Sequence, residues 1–262
     1  LNNEFSKERD GTGTNEWAEI KYNIQRGCLH GCLYCYARES ALRYKRIETR
    51  EEWETEIINL DAVNKKWTKK DGVIMFPTTH DITPTNIEHC VKVLKNMLTP
   101  GNKVLIVSKP HLSCIQRLCE ELKPWQEQIL FRFTIGSLDE ETCSFWEPGA
   151  PTPKERLSAL TFAYVSGYQT SVSMEPMLGG YMEAIRVYST VESFTTESIW
   201  IGKMNKIRTR VDMSIVPNVS EVKRIECLQS DNSILELVDR LKNEPKVRWK
   251  DSIKKVIKEV RP

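Results

Sequence analysis

Gly27-Cys28-Leu29-His30-Gly31-Cys32-Leu33-Tyr34-Cys35-Tyr36 is the stretch around which the rest of the chain is arranged. It places three thiols within eight residues, in the pattern C-x-x-x-C-x-x-C. A tight loop of this spacing turns the three sulfurs toward one centre, and Gly27 and Gly31 supply conformations that a Cβ would hinder. Three thiolates on one loop point to a metal site. Structural zinc usually takes four protein ligands, one C-x-x-C pair being answered by a second pair or by histidines. No second pair is present, and Cys90, Cys114, Cys119, Cys143 and Cys227 are scattered singly or at helical spacing. An iron–sulfur cluster with one open iron fits this donor set better. A zinc knuckle that recruits a distant residue and three buried free thiols are the alternatives.

At 262 residues the chain suits one large α/β domain with a short appendage. Hydrophobic content of 40% and charged content of 28% are those of a globular protein with a sizeable core. No apolar run reaches the length of a membrane span, so no membrane partner is expected. Leu1 to Asn15 lack a signal peptide's apolar segment. With clustered thiols this gives a reducing, cytoplasmic compartment as the expectation. The net charge of +2 neither demands nor excludes a nucleic-acid partner.

Residues 1–16 carry charge and little to bury and read as a mobile lead-in. Glu19 to Ile24 alternates polar and apolar residues, as a first strand delivering the cysteine loop. Ala37 to Tyr44 reads as a short helix and Glu51 to Trp67 as a first long one. Val73-Ile74-Met75-Phe76, stopped by Pro77, is a buried parallel strand, followed by the polar Thr78-Thr79-His80-Asp81. Helices are expected over Pro84 to Leu98, His111 to Leu122, Lys154 to Ser166 and Tyr181 to Tyr188. Strands are expected over Lys103 to Val107, Ile129 to Ile135, Thr170 to Met174 and Ser198 to Ile201. Strand, polar turn and helix repeat in that order, which implies parallel strands with right-handed crossovers. The tail carries Lys203, Lys206, Arg208 and Arg210, then a helix from Ser233 to Lys242 and a basic segment from Lys246 to Arg261. From Trp249 onward its apolar positions, Ile253, Val256 and Ile257, recur at intervals of three or four, so one helix face packs on the body of the protein.

The cysteine loop, with Tyr34 before the third cysteine, resembles the signature of the radical S-adenosylmethionine (SAM) superfamily. From Trp17 to Trp200 the chain is most similar to the spore photoproduct lyase-like branch. The resemblance implies an α/β fold, a partial (β/α)6 TIM-like barrel over residues 17–204, with residues 205–262 as an extension that caps it. It also implies a 4Fe-4S cluster on Cys28, Cys32 and Cys35, whose fourth iron is chelated by the amino and carboxylate groups of SAM. A one-electron reductant such as flavodoxin or ferredoxin is the implied partner.

In barrels of this kind the chemistry gathers at the carboxyl ends of the strands, where the unusual polar residues fall. Most of the superfamily has Gly-Gly-Glu at the end of the second strand. Thr78-Thr79-His80-Asp81 stands there, resembling the branch's Thr-Asp variant, and implies that Thr78, Thr79 and Asp81 face the methionyl end of the cofactor. Helix capping is the plainer reading of these residues. Ser108 and Lys109 end the third strand where relatives often have Thr-Lys, and Ser137 ends the fourth; these are places for hydroxyls to hold the ribose or carboxylate. Arg156, after Glu147-Pro148 and Pro151, is similar to a branch position that follows a Glu-Pro and proline-rich stretch, where a guanidinium could fork onto a carboxylate; an exposed helix arginine is the alternative. Glu175, in Met174-Glu175-Pro176, is a candidate for cofactor or substrate, or one half of a buried ion pair.

One departure bears on activity. The lyase carries a hydrogen-donating cysteine at the end of the second strand, and this chain has Thr78 there. Tyr36, Cys143 or regenerated 5'-deoxyadenosine are the alternative donors. The expected function is a radical SAM enzyme, set against a cluster- and SAM-binding sensor or RNA-binding module without turnover, and a structural zinc protein. Arg38, Arg43, Lys45, Arg46 and Arg50 after the loop, with Lys203, Lys206, Arg208 and Arg210, place two basic segments at one barrel mouth. Nucleic acid or a nucleotide would suit them; two solvated, charge-balanced faces are the alternative.

Overall fold

Parallel strands joined by helices form the body of the chain. The computed structural model describes residues 4–7, 9 and 11–260. The first part contains β1 (Ile20–Lys21), β2 (Gln25–Arg26), α1 (Tyr36–Arg43), β3 (Ile57–Ile58) and α2 (Leu60–Asn64). Regular alternation follows: β4 (Val73–Phe76), α3 (Ile87–Leu98), β5 (Lys103–Ser108), α4 (Leu112–Glu121) and β6 (Ile129–Thr134). Two helices, α5 (Glu140–Trp146) and α6 (Pro153–Val165), lead to β7 (Gln169–Met174), α7 (Tyr181–Val191) and β8 (Ile199–Ile201). The last part holds α8 (Ile207–Arg210), α9 (Val216–Leu228), α10 (Asp231–Leu241), β9 (Val247–Trp249) and α11 (Asp251–Val260).

Seven strands pair in the order β1-β4-β5-β6-β7-β8-β9, each pair parallel. The order is open at β1 and β9, so the sheet is a partial TIM-like barrel. Alternation along each strand sorts the side chains into two layers. Ile74, Phe76, Ile129, Phe131 and Phe133 join the core beneath the helices, while Val73, Met75, Leu105 and Leu130 face an inner cluster. Phe5, Trp17 and Ala18 complete that inner cluster with Trp200 from β8. Arg132, on the inner face of β6, lies with its Cζ 4.9 Å from the Trp17 ring and 5.3 Å from the Trp200 ring.

The six expected strands are all present, with differences around them. Residues 1–16, expected as a mobile lead-in, bury Phe5 and Glu16; full burial of a phenylalanine contributes about 1.5–3 kcal/mol. Residues 1–3, 8 and 10 of that stretch lie outside the described residues. The first strand contributes two residues to the sheet, because the chain beyond it pairs elsewhere: Gln25 and Arg26 lie antiparallel to Ile58 and Ile57. The same pairing breaks the long helix expected over Glu51 to Trp67 into a 3-10 turn (Glu51–Glu54), β3 and the short α2, capped by Asn59. Finally, the basic tail segment is part strand. Val247–Trp249 extends the sheet in register with Ile199–Ile201, and α11 then buries Ile253 and Val256. The helix expected from Pro84 begins at Ile87, and α5 and α9 have no counterpart in the sequence reading. Among the described residues no helix is long and apolar enough to cross a membrane.

Candidate functional site

The cysteine loop leaves β2 and enters α1, and backbone contacts fix its path. Gly27 has φ of 87°, and a Cβ there would stand 2.1 Å from the Thr55 carbonyl oxygen. Gly31, with φ of 57°, makes the second left-handed turn. Cys28 N donates to Trp53 O at 2.8 Å, Leu33 N to Trp146 O at 2.9 Å, and Gly149 N to His30 O at 3.0 Å. Cys35 is the N-cap of α1, its Sγ accepting from Arg38 N at 3.4 Å. A helix start favours negative charge, so this position suits a thiolate.

All three cysteines line a cavity of about 610 Å³ at the carboxyl ends of the strands, within the range of small-molecule sites. Tyr34, Thr78, Thr79 and Asp81 line it from the loop and from the end of β4, Ser108 and Lys109 from the end of β5, and Glu175 from the end of β7. A more open hollow of about 740 Å³ beside α4 and α6 lies away from the strand ends, and none of the expected site residues lines it.

Asp81 is the most heavily used carboxylate at the site. It accepts from Ile82 N at 2.8 Å, from Lys109 N at 2.9 Å and from the Ser108 hydroxyl, and its Oδ2 lies 3.3 Å from His30 Nδ1. Burial works to raise its pKa, but His30, Lys109 and Ser108 outweigh it and hold the carboxyl well below the usual range. His30 Nε2 in turn faces His111 Nε2 at 3.3 Å. Asn23 fixes the two threonines: its Oδ1 accepts from Thr78 N at 2.7 Å and Thr79 N at 2.9 Å, and its Nδ2 donates to Thr78 Oγ1 at 2.7 Å. The Tyr36 hydroxyl donates to the Thr78 carbonyl.

Two expected residues are not brought to the cavity wall. Ser137 turns away and donates to Glu183 Oε1 at 2.7 Å. Arg156 is buried and pairs with Glu147, donating also to Pro151 O at 2.8 Å and Thr134 O at 3.3 Å. The carboxylate it meets belongs to the protein. Burial raises the Glu147 carboxyl, and Arg156 and Lys109 more than offset this, so it stays ionised. Glu147 also accepts from the Tyr34 hydroxyl and lies 3.7 Å from Lys109 Nζ. Glu175 lines the cavity, but its Oε2 lies 3.0 Å from the buried Lys250 Nζ.

Burial pushes the Cys28 thiol far up and the Cys32 thiol to about 12, with Lys109 acting against the shift at Cys32. Bound metal cations would stabilise the thiolates in place of the missing water. Among the described residues no three His, Cys, Asp or Glu side chains are gathered as one ion requires. Tetrahedral zinc, with Zn–S bonds of about 2.3 Å, needs sulfurs about 3.8 Å apart. A four-iron cluster takes each thiolate on a different iron, and the three thiols that line this one cavity are a donor set that suits it.

No family model matches the sequence. An uncharacterized protein, ORF301 of Acidianus two-tailed virus, is 28% identical over 184 residues, covering 65% of this chain and 60% of that protein. The chain thus spans less than two thirds of this relative's length. Among solved structures, spore photoproduct lyase complexed with a dinucleoside spore photoproduct superposes over 98% of this chain and 77% of the lyase, with a TM-score of 0.54 at 14% identity. A single-site mutant of that lyase gives a TM-score of 0.56 at 14% identity, over 93% of this chain and 78% of the mutant. A double mutant with bound S-adenosylmethionine (AdoMet) and dinucleoside spore photoproduct gives 0.54, also at 14% identity, over 94% and 75%.

The chain has the fold of spore photoproduct lyase.

Within this fold, the sequence reading missed several residues at or behind the cavity wall. His30 sits inside the quoted loop, yet nothing local indicates that its ring reaches Asp81. Glu147 stands out in the sequence as part of a proline-rich stretch but not as Arg156's partner. Lys250 lies in a run of lysines and arginines with no mark of its own, although it is 1% exposed. The two basic segments also part company. Lys203, Lys206 and Arg210 line the cavity, while Arg38 donates to Leu33 O at 2.8 Å, Arg50 pairs with Glu39, and Arg208 pairs with Glu226. Arg43, Lys45 and Arg46 are exposed and do not line the cavity.

Proposed function

We propose that this chain is a radical SAM enzyme, with Cys28, Cys32 and Cys35 as ligands of a 4Fe-4S cluster and SAM as the fourth iron's ligand. The observation that carries the proposal is the placement of three thiols from one loop on the wall of a strand-end cavity, beside Asp81, Ser108 and Lys109. When bound and reduced by a one-electron carrier such as flavodoxin or ferredoxin, the cluster and cofactor supply a 5'-deoxyadenosyl radical able to remove a hydrogen atom from a substrate.

The chain's own residues position and charge the chamber. Gly27 and Gly31 let the loop turn so that its sulfurs face the cavity. Lys109 keeps a positive charge beside Cys32: burial works to lower its pKa, but Cys32, Glu147 and Asp81 hold it protonated. Asp81 ties His30 of the loop to the ends of β4 and β5, so the loop and the strand-end wall keep one relative position. Thr78 is fixed by Asn23 and offers no thiol. Of the candidate hydrogen donors, Tyr36 lines the cavity and Cys143 does not. Cys143 points its sulfur at Ser137 O, 3.5 Å away.

A nucleotide or nucleic-acid substrate suits a mouth lined by Lys203, Lys206 and Arg210. The test is anaerobic reconstitution with iron and sulfide followed by strong reductant and SAM. Iron uptake that depends on the three loop cysteines, with formation of 5'-deoxyadenosine, is the expected result. Tight SAM binding with no cleavage would favour a sensor instead.

A further inference from the structure

Most charged groups on the cavity wall are already answered by an opposite charge. Glu16 and Glu175 share Lys250, each at 3.0 Å. Asp251 pairs with Lys255 at 2.8 Å, Lys203 with Asp231 at 3.4 Å, and Lys109 with Glu147 at 3.7 Å. Arg210 and Lys206 differ: both line the cavity, and among the described residues neither forms an ion pair. Arg210 is partly buried, its guanidinium 6.0 Å from the Tyr36 ring centre, and its main-chain carbonyl accepts from Arg50 Nη1 at 3.0 Å. Glu39, the nearest carboxylate of α1, is taken by Arg50 and Arg38.

Lys206 adds a second, independent observation. It has φ of 52°, a left-handed conformation that costs a residue with a Cβ about 1 kcal/mol. Its carbonyl accepts from Thr209 N, Thr209 Oγ1 and Arg210 N at 3.0, 2.9 and 3.2 Å, so the strained turn carries the short α8 and with it Arg210.

We propose that Arg210 and Lys206 form an oxyanion subsite at the mouth of this cavity, which holds a phosphate ester or carboxylate of the substrate. The inference rests on the cavity being the reaction chamber described above. A guanidinium offers two parallel N–H donors to two oxygens of one anion, and the ammonium adds a second positive charge to the same cavity wall. The Tyr36 ring beside Arg210 supplies an apolar wall for the group that carries the anion.

The test is equilibrium dialysis of the reconstituted protein against three probes: thymidylyl-thymidine, its charge-neutral methylphosphonate analogue, and succinate. Iron content and SAM binding are measured on the same samples. A phosphodiester or succinate that binds at least tenfold more tightly than the neutral analogue, and loses that advantage in both Arg210→Gln and Lys206→Gln, supports the subsite and identifies its anion. Equal binding of all probes, or discrimination unchanged in the two folded variants, overturns it. So does a loss of SAM binding in Arg210→Gln as large as the loss of probe, because the cofactor's carboxylate would then be the occupant. A sample that takes up no iron counts against the enzyme reading, while its dialysis against the probes still decides the subsite.

Discussion

Lys250 Nζ lies 3.0 Å from Glu175 Oε2, and the lysine itself is 1% exposed. It also reaches Glu16 Oε1 at 3.0 Å and Gly13 O at 2.7 Å, with its charge 4.1 Å from the Trp17 ring centre. One ammonium from the residue after β9 therefore joins the start of the chain, the end of β7 and the end of the chain. Burial raises the Glu175 carboxyl, with Lys250 acting in the opposite direction.

Removing that ammonium leaves carboxylates without their cation in a protected place. Lys250→Met is expected to destabilise the protein by about 3–5 kcal/mol, the usual consequence of breaking a buried pair from one side. The triple variant Lys250→Met, Glu16→Gln, Glu175→Gln should recover most of the loss. Urea midpoints at neutral pH measure both. A triple variant no more stable than the single one would show that Lys250 acts through packing against Trp17 and not through its charge.

Asp81 gives a pH dependence of known sign. Its carboxyl is held below its ordinary value of 3.8 in the folded protein. The ionised group therefore contributes stability that is fully present above that ordinary value and is lost as pH falls below it toward the folded value. Asp81→Asn should be less stable than the parent by roughly 2 kcal/mol at pH 7, in line with charged hydrogen bonds. The gap should close progressively below about pH 4. Urea titrations of both proteins across this range are the measurement, and a gap independent of pH would remove the charge from the explanation.

Strands β4, β5 and β6 were legible because their central residues, Val73–Phe76, Val104-Leu105-Ile106 and Ile129-Leu130-Phe131, are buried and read as short apolar runs. Val73–Phe76 and Ile129–Thr134 match the expected spans to within a residue. The β2–β3 pair was not legible, since nothing local indicates that Gln25 faces Ile58, and the same β-branched residues fit a helical pattern equally well. β9 was masked by its charges: Val247 and Trp249 flank Arg248 among lysines that suggested a surface helix. Cavity-lining residues were legible where they follow the strand ends, as with Asp81, Ser108 and Lys109. Arg156 was found but its target was not, because its carboxylate comes from Glu147, before the helix that carries the arginine.

The two loop glycines make a graded comparison. Gly27→Ala adds a Cβ 2.1 Å from Thr55 O at a φ of 87°, and the obstacle is backbone that also holds Cys28 through Trp53. Gly31→Ala meets Glu54 Oε1 at 3.4 Å, an ordinary contact, at a φ of 57°. The second change is expected to cost about 1 kcal/mol, the left-handed penalty alone. The first should cost well over that and abolish iron uptake after reconstitution. Equal iron content in the two variants would contradict the view that the Gly27 turn aims the thiols.

Truncation before Lys246 tests the place of the C-terminal segment in the sheet. It removes β9 with Val247, 8% exposed, the buried Lys250, and the apolar face of α11 with Ile253 and Val256, 0% and 5% exposed. Each such side chain contributes about 1.5–3 kcal/mol, and the loss of Lys250 adds the unpaired carboxylates described above. Together these approach the whole stability of an ordinary domain, about 5–15 kcal/mol. Cutting also exposes the β8 edge, an open template for aggregation. The truncated chain should therefore fail to give a cooperative thermal transition or should aggregate, rather than fold and lose one activity. A soluble truncation product that melts cooperatively and still takes up iron through Cys28, Cys32 and Cys35 would make the segment a separable arm and β9 dispensable to the barrel.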